Sequence, residues 1–223
     1  SPEYAVLAGD YLLARVMVNL SHYGNLRLIQ YTTEIISDLL EGEWIQDSLM
    51  QDWNVQLNQL DQVHDLKTAS LFKWCLRAPF MAMERDEGDL HQTLDEMGTL
   101  LGLLFQRGDD LLDFDVRNEE GKALLGDLKS GYLNSFAAFL SRDFSEDQKA
   151  KLRACETLGA VKVLVGETRF SDLVMEFDDL NAEVIDLFEH KARSLEEFLR
   201  VEERGLIPDL TGLPSLLYYR RNK

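Results

Sequence analysis

Apolar residues recur at spacings of three and four along almost the whole chain, and nowhere do they alternate cleanly with period two. The stretch 4–20, YAVLAGDYLLARVMVNL, is apolar all round with small Ala and Gly interspersed, which predicts a helix buried at the centre of the molecule. Residues 26–46 repeat apolar positions at helical spacing. Residues 66–83 predict another apolar helix, bent at Pro79, and 90–114 a long periodic one. Glycines punctuate 119–132, which predicts a loop. Ser145 and Gln148 form a capping-box pattern ahead of a helix, a further helix covers 180–200, and a short one follows Pro214. Ser1-Pro2-Glu3 has the order of a helix N-terminus. With prolines only at 2, 79, 208 and 214, and no Asn-Gly or Asp-Gly hairpin signal, repeat or linker, the pattern predicts one all-α domain over residues 1–223.

Length and composition refine this picture only a little. A chain of 223 residues can bury a sizeable core. Its formal net charge of -17 leaves no basic stripe, which argues against nucleic acid as a partner. Cys75 and Cys155 form no CxxC pair or Cys/His cluster, so a structural zinc site is not expected, and two lone thiols suit a reducing cytoplasm. No apolar run approaches the ~18 residues of a membrane span. No signal peptide opens the sequence.

One stretch breaks the pattern. In LLFQRGDDLLDFD, residues 103–115, an apolar run leads directly into Asp109, Asp110, Asp113 and Asp115. On a helix Asp109 and Asp113 face the same way, with Asp110 about 100° round. Aspartate is a poor helix former, like charges four apart repel, and acids near a helix C-terminus oppose its dipole. A solvated helix end is the plain alternative. The costs make sense if divalent cations bind there, since magnesium takes oxygen ligands and is commonly shared between carboxylates and substrate phosphates.

FQRGDDLLD (105–113) resembles the second aspartate-rich motif, FQxxDDxxD, of the trans-isoprenyl diphosphate synthases. AVLAGDYLLAR (5–15), EGEWIQ (41–46), KTASLF (67–72) and GKALLGDL (121–128) resemble further blocks of that family, in the right order. The resemblance runs to about residue 130 and continues more loosely to the end. It implies an isoprenoid-synthase-type helical bundle, active as a homodimer. It implies a prenyltransferase that ionises an allylic diphosphate, lets the isopentenyl diphosphate double bond attack, and then loses a proton. Asp109, Asp110 and Asp113 would hold Mg²⁺ against the allylic diphosphate. Lys67 and Lys122 would contact that diphosphate, and Thr68 and Gln106 would place oxygens near the carbocation. Arg220 and Arg221, in the basic end YYRRNK, would close over isopentenyl diphosphate, with a solvated tail as the alternative.

Two departures accompany the resemblance. The family's first aspartate-rich motif lies upstream of anything in this sequence. DEGD (86–89) and EFDDLNAEVID (176–186) lack its spacing and read as turn and solvated-face charges. The expectation is therefore that the natural protein continues before Ser1 with further helices. The second departure lies in GYLNSF (131–136). Tyr132 and Asn134 stand where the family has lysine and threonine, and Phe136 where it has proline, which removes one phosphate-binding charge. A non-catalytic partner subunit of a heteromeric synthase is the alternative function, and a terpene cyclase a more distant one. His22, His64, His91 and His190 have no metal-ligand spacing, and Trp44, Trp53 and Trp74 are expected as core or interface anchors.

Overall fold

A computed structural model describes residues 2–85, 87–115 and 124–219, and among them there are helices and no strands. The helices are α1 (Pro2–Ser21), α2 (Leu26–Ser48), α3 (Leu57–His64), α4 (Ser70–Ala82), α5 (Gly88–Leu112), α6 (Gly126–Ser130), α7 (Ser135–Ser141), α8 (Glu146–Arg153), α9 (Leu158–Val165), α10 (Glu167–Ser194) and α11 (Ile207–Tyr218). One wide π-helical turn, Asp65–Ala69, joins α3 to α4.

Helix α5 is the axis. Its apolar stripe, Leu90, Leu94, Met97, Leu101 and Leu104, is buried, and α4, α10 and α11 pack around it. Phe188, Ala192 and Leu195 close the N-terminal half of that stripe. Beyond the C-terminal end of α5 lies an aromatic core. There Phe136 stands edge-on to Phe114 and Phe177, with ring centroids 5.0 and 5.3 Å apart.

Two glycines set how closely the axis is approached. A Cβ on Gly102 of α5 would come within 2.3 Å of the Ala69 Cα, and one on Gly42 of α2 within 2.6 Å of the Lys67 backbone nitrogen. The π turn is thus gripped between α2 and α5 at backbone distance, which only residues without a side chain permit.

Several sequence expectations change. Among the described residues helix α1 is not buried: Leu20 is its one buried residue, and Tyr4, Leu7, Tyr11 and Leu12 are exposed. An all-round apolar pattern shows that a helix lacks a polar face, but not which neighbour covers it. Helix α10 begins at Glu167 rather than near 180, because Phe170, Leu173 and Phe177 bury one face of a stretch whose acids looked merely solvated. Helix α11 begins at Ile207, with Pro208 harmless in its first turn, and runs through Pro214. The glycine-punctuated loop contains the short α6. Trp53 is buried, whereas Trp44 is exposed. The Ser145–Gln148 capping box forms as expected.

Candidate active site at the C-terminal end of helix α5

The site is built where α5 ends against the π turn, α6 and the start of α7. A π turn offsets the helical register by one residue and recurs at functional positions. Here it carries Lys67 and Thr68. Its own hold is ionic: the Asp65 carboxylate takes the Lys73 ammonium at 2.7 Å and the Thr99 hydroxyl at 2.7 Å.

A chain of hydrogen bonds runs from that turn into the acid motif. Thr68 Oγ1 donates to Gln106 Oε1 at 3.2 Å, and Gln106 Nε2 donates to Asp110 Oδ1 at 2.8 Å. The Ser135 backbone N–H donates to Asp110 Oδ2 at 2.8 Å, and Asn134 Nδ2 donates to the Asp110 carbonyl at 3.2 Å. Asp110 is 1% exposed. Burial pushes its carboxyl above the usual aspartate range, the Ser135 and Gln106 bonds pull it back, and the Asp109 charge adds to the rise. His64 Nε2 lies 3.8 Å from Asp110 Oδ2, and its buried Nδ1 has no partner among the described residues. Burial lowers the His64 imidazole from 6.5 to about 4; Asp61 opposes that shift, and Arg107 and Lys67 reinforce it.

The other two aspartates sit differently. Asp109 is half-buried. Asp113 closes α5 as its C-cap residue, accepting the Asp127 N–H on Oδ2 at 3.0 Å and the Leu125 N–H on its carbonyl at 3.0 Å. The motif therefore reaches one helix end, but its three carboxylates do not share one environment. Among the described residues no three His, Cys, Asp or Glu side chains converge on one metal-sized site.

Lys67 projects towards α2, where its ammonium meets Glu43 Oε2 at 2.7 Å and donates to Gln46 Oε1 at 2.9 Å. Sequence reasoning assigned Glu43 and Gln46 no role. The available signal was their spacing of three within EGEWIQ, which puts both on one helical face. It also passed over Arg107, whose buried guanidinium joins α5 to Asp61 of α3 at 2.9 Å and Asn181 of α10 at 3.1 Å. Asn134 caps α7 by accepting the Ala137 N–H. Lys122, Arg220 and Arg221 lie outside the described residues.

Tyr132 completes the site. Its phenol is buried, and among the described residues its hydroxyl has no hydrogen-bond partner. Burial and the charges of Asp110, Asp127 and Glu43 hold it well above the ordinary tyrosine value, so it stays protonated.

The polyprenyl synthetase family profile matches residues 2–162, and the chain belongs to that family. A prenyl transferase of Porphyra purpurea is 30% identical over 186 residues, covering 78% of this chain and 56% of the relative. Solanesyl diphosphate synthase 1 of Arabidopsis thaliana, a chloroplastic protein, is 35% identical over 136 residues, or 60% of this chain and 33% of the relative. The chain thus spans between a third and just over half of these relatives. A decaprenyl diphosphate synthase of Rhodobacter capsulatus shares the fold with a TM-score of 0.82 at 22% identity, covering 98% of this chain and 67% of the other. Among the described residues no helix is long and apolar enough to cross a membrane.

Proposed function

We propose that the protein is a prenyltransferase that condenses isopentenyl diphosphate with an allylic diphosphate. The observation that carries this is the continuous link from Thr68 through Gln106 to Asp110, with Lys67 on the same turn, at the end of a helix that bears the acid motif. The relatives are named as synthases and transferases, which does not favour the alternative of a non-catalytic subunit.

In this reading Lys67 receives the allylic diphosphate, which takes over the ammonium from Glu43. Lys122 assists it, and Arg220 and Arg221 attend the isopentenyl diphosphate. Asp109 and Asp113 would hold Mg²⁺. Hard carboxylate oxygens suit that ion, which commonly takes only one or two carboxylates and completes its shell with substrate phosphates and water. Asp110, with both oxygens engaged, serves as the anchor that keeps Gln106 and the start of α7 in place, rather than as a third ligand as the motif alone suggests. When bound, Mg²⁺ supplies the positive charge that stabilises the departing diphosphate. The allylic C–O bond breaks and its electron pair leaves with the diphosphate. Thr68 and Gln106 aim oxygen dipoles at the allylic cation, the isopentenyl double bond attacks it, and a proton is lost from the adduct. The apolar helix faces exclude water, which would otherwise trap the cation.

A homodimer belongs to the same reading, as membership of the family implies. A cytoplasmic location rests on the two lone thiols.

The test is incorporation of labelled isopentenyl diphosphate into solvent-extractable product by the natural gene product. Lys67→Ala lowers kcat/KM for the allylic diphosphate by about a hundredfold, in the range of a lost charge-assisted contact to a transition-state anion. Unchanged incorporation by that variant would remove Lys67, and with it this site, from the reaction.

A further inference from the structure

Arg107 places a buried charge inside the acid motif, next to Gln106, yet its side chain turns to α3 and α10. The residue is 4% exposed. Its Nη2 donates to both carboxylate oxygens of Asp61 on α3, at 3.0 and 2.9 Å, and its Nη1 donates to Asn181 Oδ1 on α10 at 3.1 Å. Asn181 is fixed in turn. Its Nδ2 donates to the Phe177 carbonyl at 2.6 Å and to the Tyr218 hydroxyl of α11 at 3.2 Å, and that hydroxyl donates to Asp178 Oδ1 at 2.8 Å. One guanidinium thus joins α5 to α3 and α10 directly, and to α11 through Asn181.

A buried ion pair is a poor way to gain stability, because apolar side chains of like volume hold two helices at no greater cost. What a planar guanidinium fork supplies is a fixed geometry. Helix α3 leads directly into the π turn, and the two are pinned to α5 at both ends. Ala69 rests on Gly102 at backbone distance, and Asp61 is held by Arg107. The Thr68–Gln106 hydrogen bond lies between these anchors, and at 3.2 Å it is already longer than usual for a hydroxyl donor. A slip of α3 along α5 would part the two oxygens. We propose that Arg107 is a positioning residue: its fork sets the register of α3 against α5, so that Thr68 and Gln106 bear on the same point of the substrate. This rests on the prenyltransferase reading and deepens it. Arg107 touches no reacting atom and acts through Gln106 and the π turn.

The test is steady-state kinetics of the natural gene product and two variants, with isopentenyl diphosphate, an allylic diphosphate and Mg²⁺. The first variant combines Arg107→Met with Asp61→Leu, an apolar pair in place of the ionic one. It melts close to the unsubstituted protein, because the two kinds of pair are near one another in stability. Its kcat falls about thirtyfold, the size expected of a displacement somewhat under 1 Å. Its KM for the allylic diphosphate stays within about twofold, because the long flexible stem of Lys67 absorbs a small shift. The second variant, Arg107→Lys, keeps the buried charge against Asp61 but not the fork that also holds Asn181, and its kcat falls about tenfold. Wild-type kcat in either variant would overturn the proposal and leave the prenyltransferase reading intact. A loss of turnover matched by an equal loss of folded protein, read by circular dichroism at the assay temperature, would also overturn it, because Arg107 would then be structural alone. So would a raised KM with kcat unchanged. Absence of elongated product from the unsubstituted protein would overturn the prenyltransferase reading and this proposal together.

Discussion

Asp109 and Asp110 are adjacent and chemically identical, yet burial separates their roles. Asp110→Ala strips the Ser135 N–H and Gln106 Nε2 of their acceptor, and it costs about 2 kcal/mol of stability, read from the denaturant midpoint. Asp109→Ala, at a half-buried position, changes stability by roughly 0.5 kcal/mol and removes Mg²⁺-dependent turnover. His64 adds a pH signature. Its folded value of about 4 lies below the unfolded 6.5, so the unfolded chain binds the extra proton between those pH values. Stability is full above about pH 6.5 and falls as pH drops towards 4, by about 3 kcal/mol from this group. His64→Gln flattens that part of the pH–stability curve, and an unchanged slope would contradict the assignment. At this scale the sequence was informative about residue types. Thr68, Gln106 and Asp110 are joined by hydrogen bonds, because a helical spacing of four and a motif on the neighbouring turn bring them together, while the Lys67 ammonium turns to α2. That Asp110 turns inward was not legible, since its partner is a backbone N–H of α7, 25 residues away.

At the scale of elements, the site depends on how tightly the π turn is gripped. Gly102→Ala drives a methyl into the Ala69 backbone and destabilises the protein by about 1–3 kcal/mol. It also displaces Lys67 and Thr68, so kcat/KM falls further than stability alone explains. Gly212→Ala in α11, where a Cβ would meet nothing within 4 Å, instead stabilises by up to about 1 kcal/mol. Thermal denaturation of the pair separates close approach from mere helix propensity. Long periodic segments such as α5 and α2 were readable from their apolar spacing. The π turn was not: residues 65–69 carry an ordinary helical pattern, and the close approach of Gly42 and Gly102 to it joins positions far apart in the sequence. The full extent of α10 was obscured because its buried stripe, Phe170, Leu173 and Phe177, is interleaved with acids.

At the scale of the molecule, an acidic all-α chain packs around one axial helix, and its membership of the polyprenyl synthetase family follows from a match over residues 2–162. Ordered blocks along the sequence were enough to reach that family, because each block is a short string on one helix or turn. The surroundings of α1 were not legible, because apolar periodicity records a demand for burial without naming its partner. The most direct test of the prenyltransferase reading is chromatography of the prenyl products formed by the natural gene product, purified alone, from isopentenyl diphosphate, an allylic diphosphate and Mg²⁺. Elongated prenyl chains that disappear with EDTA and return with added Mg²⁺ are the predicted result. No elongated product from geranyl, farnesyl or geranylgeranyl diphosphate would contradict it.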